Sequence, residues 1–274
     1  MLAHDSILRH LPSRVQPETR LRFETLVFAA DVLTFAFCSI RDITARYGAD
    51  ISSISLHDRV ALFAHAWTMV DQIHILRELI KTTTTGGQMG PNQKSFYDTY
   101  EPASLMRNKM DHLTRMFPNL ASRKGIHPPF FGAISYFLVE AHHMVQTPAG
   151  VVVDAGTIIT VASGSVKGDK ALIPMPNPAA RPIHPPTSQF MLAAFDWELN
   201  LEEAVKALQA ILNKASEQIG EDLKRQCEAE SARSGMAAND FMAEPPLGDL
   251  VLELGFKFGA HPKSAEGVPQ PRKE

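Results

Sequence analysis

The sequence predicts a mainly α, α+β fold: a four-helix up-and-down bundle with a small β-containing insertion between its third and fourth helices. Three observations carry this. Long stretches place apolar residues at helical spacing. Between residues 128 and 165 the pattern changes to runs rich in Val, Ile, Phe and Thr, broken by Gly and Pro. A helical pattern then returns near residue 199.

Composition bounds what such a chain can be. Of its 274 residues, 45% are hydrophobic and 21% charged, which supports a substantial core and excludes global disorder. The net charge of −3 means that bulk charge does not draw the protein to nucleic acid, so any such binding must be local. Two cysteines, Cys38 and Cys227, provide neither a disulfide framework nor a Cys-rich zinc site. The opening MLAHDSILRHLPSR lacks the long apolar core of a signal peptide. The apolar run at 26–40 is interrupted by Asp31 and is too short to span a bilayer, so it reads as a buried core helix. The expected compartment is the cytoplasm, with no membrane partner.

Residues 1–18 read as a loose leader. The first helix is expected from about Thr19 to Tyr47, with Gly48 as its stop. The second begins near His57–Asp58 and runs to about Lys81. The polar stretch 82–95 reads as a Gly-rich loop. Its resemblance to a phosphate loop is superficial, because Pro91 follows Gly90 and Lys94 comes later. A third helix is expected over 100–117, with Pro102 in the first turn and Pro118 as the stop. Two strands follow, at 128–141 and 150–165, and then a Pro-dense extended excursion at 173–188. The fourth helix spans 199–230, with Asn200 as its cap. A single helical domain is thus expected over 19–235, carrying an insertion at about 127–195, with a second loose terminus at 260–274.

The third helix carries the chemistry. With about 100° per residue, Leu105, Met106, Met110, Leu113, Met116 and Phe117 share an arc roughly 140° wide. Arg107, Asn108, Asp111, His112 and Arg115 occupy the opposite arc. His is the residue type that moves a proton near neutral pH. Arg offers a fixed cation whose forked guanidinium suits an oxyanion such as phosphate. Asn108 lies between the two and can orient either. A second Arg/His pair, Arg59-x5-His65, lies in the second helix, but Val60 follows its Arg and it is set aside.

The stretch RNKMDH at 107–112, an Arg followed by Asn and then by His after four intervening residues, resembles the signature of the HEPN superfamily. The resemblance covers the motif helix and the helix order, perhaps half the chain. It implies a metal-independent endoribonuclease with Arg107 as phosphate clamp, Asn108 as orienting residue and His112 as acid/base group. It also implies a homodimer whose two motif helices face each other across a twofold axis, and a bacterial toxin–antitoxin or phage-defence setting with an antitoxin or regulatory protein as partner. One departure is Thr114, at the place where a toxin subgroup has Tyr, so regulatory nucleotidylation there is not supported.

Several residues are expected to support this site. Asp71, His74 and Glu78 share one face of the second helix. Asp111 sits within the motif arc. Asp31, in an apolar helix, needs a partner, with Arg107 or Arg115 as candidates. Arg115, Arg123 and Lys124 can track an RNA backbone. His142 and His143 point to opposite faces if they lie on a strand, and so cannot share one metal. No cofactor or metal is called for. Two rivals stand beside this reading. One is a non-catalytic RNA- or nucleotide-binding or protein-interaction module. The other is a metal-dependent hydrolase centred on His74 and Glu78, which lack the third ligand a catalytic zinc requires.

Overall fold

The computed structural model describes residues 2–11, 15–83, 89–115, 131–144, 152–164 and 187–234, together with positions 118, 129 and 176. The first helix, α1 (Pro17–Tyr47), opens on a proline, whose missing N–H costs nothing at that position. It closes at Gly48, whose φ of 50° is costly for any residue with a Cβ and whose N–H bonds to Thr44 O at 3.0 Å. Helix α2 (Leu56–Thr83) starts from Ser55, whose Oγ accepts from the Asp58 N–H at 3.0 Å. The two pack together, and Leu33, Ala36 and Ile40 on α1 and Leu62, Met69 and Ile73 on α2 are fully buried in the shared core.

A short helix that was not expected precedes the expected third helix. Helix α3 (Pro91–Thr99) begins inside the stretch read as a loop, because Pro91 is pre-set for a first turn and the Gly90 N–H bonds to Gln93 Oε1 at 2.9 Å. Phe96 anchors it, buried with its ring 4.7 Å from that of Tyr100. Helix α4 (Glu101–Asp111) follows after Tyr100. It ends at Asp111, and helical backbone resumes at residues 113–115, so the expected helix to 117 is broken at His112. At His112 (φ −109°, ψ 17°) the backbone leaves the helical region, and the N–H turns back to Lys109 O at 3.2 Å, a tighter turn that ends the ladder.

Four antiparallel strands form one sheet in the order β2-β1-β3-β4. They are β1 (Ala133–Met144), β2 (Val152–Ala162), β3 (Thr187–Ala194) and β4 (Trp197–Asn200). The first two match the expected strands with shifted ends. The last two were not foreseen: β3 is buried on both faces and so shows no apolar/polar alternation. Phe190 of β3 is fully buried, stacked on Tyr136 of β1 at 5.4 Å and edge-on to Phe37 of α1 at 5.6 Å, which ties sheet to helices. Helix α5 (Leu201–Ser234) continues directly from β4, with Asn200 Oδ1 accepting from the Glu203 N–H at 3.0 Å.

The expected loose leader is in part docked. Ile7–Arg9 forms a 3-10 turn, Leu2 and Leu8 are buried, and Ser6 Oγ hydrogen-bonds Ser216 Oγ on α5 at 2.9 Å. Residues 260–274 lie outside the described residues. Met1–Glu244 forms one unit by its internal packing. The chain is therefore mainly helical with a small four-stranded antiparallel sheet.

Helix α1 is long and apolar enough to cross a membrane by length and composition, with a mean hydropathy of 1.7 over its most apolar window. It reaches that value because it is apolar on both sides. Leu33 and Ile40 face the core, while Leu21, Phe28 and Phe35 lie exposed at seven-residue intervals.

Candidate functional site

Helices α2 and α4 lie side by side, and a polar stripe on α2 meets α4 one turn at a time. At the first turn Arg107 Nε stands 3.4 Å from Asp71 Oδ1, with side chains 37% and 52% exposed. At the next, Ser104 Oγ lies 2.9 Å from His74 Nδ1 and also accepts from Arg77 Nη1. The Ser104 hydroxyl is therefore free to donate to His74 Nδ1, which fits the neutral ring. Arg77 is buried at 5% exposure. Its Nε donates to Tyr97 O at 2.8 Å, and its guanidinium lies 4.3 Å over the Tyr97 ring. No carboxylate pairs with it among the described residues, where a carbonyl, a hydroxyl and a ring face share its charge.

Burial and neighbouring charge set the protonation of this stripe. Burial pushes the Asp71 carboxyl above its ordinary value, with Asp111 adding repulsion and Arg107 and His74 opposing. Burial pulls the His74 ring down, and Arg107 pulls it further, while Glu78 and Asp71 oppose. Both groups are thus biased toward their neutral forms.

Beside Arg107 opens a cleft of about 540 Å³. One wall is α2, contributing Leu56, Arg59, Val60, Phe63, Ala64, Trp67 and Asp71, all at helical spacing along one face. The opposite wall is α4, with Arg107, Met110 and Asp111. The third side is the entry to the sheet, with Phe131 and Ser163. That side is braced. Trp67 Nε1 donates to Phe131 O at 3.1 Å, Phe131 N–H to Ser163 Oγ at 2.9 Å, and Ser163 N–H to Gly132 O at 3.0 Å. Gly132 permits the arrangement. Its φ is 91°, and a Cβ there would stand 2.2 Å from Ala193 O.

The structure sorts the expected site residues. Arg107 and Asp111 line the cleft, and Asp71 and His74 gather beside Arg107 as expected of supporting residues. Glu78 is exposed and acts on His74 only through its charge. Asn108 is exposed. His112 is exposed too, but it caps the end of α4, so the motif does not lie along one continuous helix as expected. Arg115 is exposed on the next turn, where its N–H bonds to His112 O at 3.0 Å. Asp31 is a correction: both its oxygens bind Arg9, at 2.7 Å each, because the N-terminal turn crosses α1. Arg123 and Lys124 lie outside the described residues, as do the side chains of His142 and His143.

Arg59 was missed. It was set aside because Val60 follows it, yet it shares the cleft with Arg107. The legible signal was the α2 face itself, whose apolar residues repeat at helical intervals on either side of Arg59. Its motif partner, His65, is elsewhere, edge-on to Phe35 at 6.0 Å. No group of three or more His, Cys, Asp or Glu side chains placed to hold a metal occurs among the described residues.

The arrangement can bind an anion and deliver a proton. A guanidinium steadied by a carboxylate keeps exposed N–H groups for a second acceptor, and the exposed histidine five residues later can exchange protons with solvent or substrate. No family model, curated protein or solved structure matches this chain.

Proposed function

We propose that this chain is a HEPN-like, metal-independent endoribonuclease working at the solvent-facing end of α4. The observation that carries the reading is the Arg107–Asp71 pair: it steadies a partly exposed guanidinium five residues before an exposed histidine. In this reading Arg107 clamps a backbone phosphate, Asn108 orients it, and His112 moves the proton. Arg115, on the following turn, extends the cationic edge. The helices would take the order of a four-helix HEPN bundle, and two copies would set their α4 ends together in a homodimer, since one edge cannot surround a phosphate. The cytoplasm and a toxin–antitoxin or phage-defence system, with a regulatory protein partner, form the proposed setting.

A second reading is an RNA-binding module of the same kind without cleavage. What favours it is the position of His112 at the helix cap, off the regular face that holds Arg107.

The deciding experiment is cleavage of a labelled RNA pool in EDTA by the parent and by Arg107→Ala and His112→Ala, with a melt for each. Cleavage by the parent and its loss in both variants is expected. RNA binding without cleavage in the parent selects the second reading. Light scattering is expected to give a dimer mass, and an active monomer sinks the two-copy site.

A further inference from the structure

The interior of the cleft asks for a different ligand from its rim. A volume of about 540 Å³ is that of a small-molecule site. Its walls are chiefly aliphatic and aromatic, and three apolar side chains at the cleft stand open to water: Leu56 at 76%, Val60 at 61% and Phe131 at 42% exposure. Away from the charged side chains the lining offers one neutral polar side chain, Ser163, whose Oγ accepts from the Phe131 N–H and keeps its own O–H to donate, too little to match the several polar edges of a nucleobase.

The charges are equally selective. Arg107 is offset by Asp71. Among the described residues Arg59 is not offset: its Nε is shut off from water and has no hydrogen-bond partner there. The acid next to it in sequence, Asp58, is committed elsewhere, to Arg46 at 2.9 Å and to the Tyr47 hydroxyl at 2.5 Å. Arg59 has no ion pair among the described residues. The cleft thus offers one uncompensated guanidinium, and the carboxylates of Asp71 and Asp111 disfavour a ligand carrying a second negative charge.

We propose that the cleft binds an amphipathic monocarboxylate. The carboxylate pairs with the Arg59 guanidinium, and the apolar body lies along Val60, Phe63, Trp67 and Met110. This does not depend on the RNA reading, because it concerns the interior of the cleft and is measured as binding.

The test is calorimetric titration of the full chain with octanoate, 1-octanol and adenosine monophosphate. Variants are Arg59→Gln, Arg59→Lys and Ala64→Trp, each checked by its melt. Ala64 is exposed on the cleft wall, so a tryptophan there fills the space without entering the core. Octanoate is expected to bind at least about tenfold more tightly than octanol, the size of one charge-assisted hydrogen bond. Arg59→Gln should reduce octanoate to the octanol level, Arg59→Lys should fall between, and Ala64→Trp should abolish both. Equal binding of octanoate and octanol, octanoate affinity untouched by Arg59→Gln, no octanoate binding, or tighter binding of adenosine monophosphate would each overturn the proposal.

Discussion

Asp71 of α2 and Arg107 of α4 form an ion pair across the helix interface at 3.4 Å, at the edge of the cleft, with both side chains more than a third exposed. Solvent screens such a pair, so its value to folding is small and its value in aiming the guanidinium is the larger one. A double-mutant cycle on Asp71→Asn and Arg107→Ala is expected to give a coupling free energy of about 1 kcal/mol or less in chemical denaturation. A coupling well above that would make the pair a structural lock. If the chain is the ribonuclease proposed, cleavage should respond differently, with Arg107→Ala slowing it by roughly a hundredfold or more, as for loss of a donor to developing charge.

His112 lies exposed at the end of α4, and its side chain contributes nothing to the core. His112→Ala should leave the melting transition within about 0.5 kcal/mol of the parent while lowering the proposed RNA cleavage by about 10²–10⁴. His65→Ala is the matched control, and it should cut like the parent. A His112→Ala protein that melts normally and cuts normally removes the histidine from the mechanism.

Acid should weaken the fold in the range where histidine titrates. His65 and His74 are both held below the ordinary histidine value of 6.5, His65 by burial and His74 by burial and then Arg107. Above the unfolded value both states are neutral and nothing is linked to pH. Below it the unfolded chain takes up protons first, so stability falls as pH falls. Asp71 has the opposite sign. Its raised value gives a contribution present below the unfolded 3.8 and lost as pH rises through the folded value. From about pH 7.5 to 5.5 the histidines should therefore dominate, and the melting temperature should drop. His74→Gln should flatten that slope in a calorimetric series, and an unchanged slope would show that His74 is not the linked group.

Tyr136 carries a buried hydroxyl with no hydrogen-bond partner among the described residues, and burial pushes its ionisation up to about 12. Tyr136→Phe keeps the ring on Phe190 and removes the orphaned group. It should raise stability by about 1 kcal/mol in urea unfolding. A loss of stability would mean that the hydroxyl is satisfied in solution.

Much of the helical frame was readable. Gly48 ended α1 where a C-terminal glycine was expected, and Asn200 capped α5 as its residue type suggested. These signals are local, because a cap bonds to backbone two to four residues away. What failed was also local in cause. The apolar repeat continues through Phe117, but the backbone tightens at His112 without the Gly or Pro that would have marked it. Strand β3 was hidden because burial on both faces erases the period of two.

The sequence by itself determined the amphipathic helices, the presence of strands between them, and the grouping of Arg107, Asn108, Asp111 and His112 within one short helical stretch. Each depends on spacing along the chain. Tertiary structure alone decided that Asp71 meets Arg107, that Arg9 rather than Arg107 or Arg115 takes Asp31, and that Arg59 stands in the same cleft as Arg107. Those relations join side chains 22 to 48 residues apart. Which charges neutralise each other, and which is left for a ligand, depends on distances set when the helices pack, because charge interactions and burial act through space and not along the sequence.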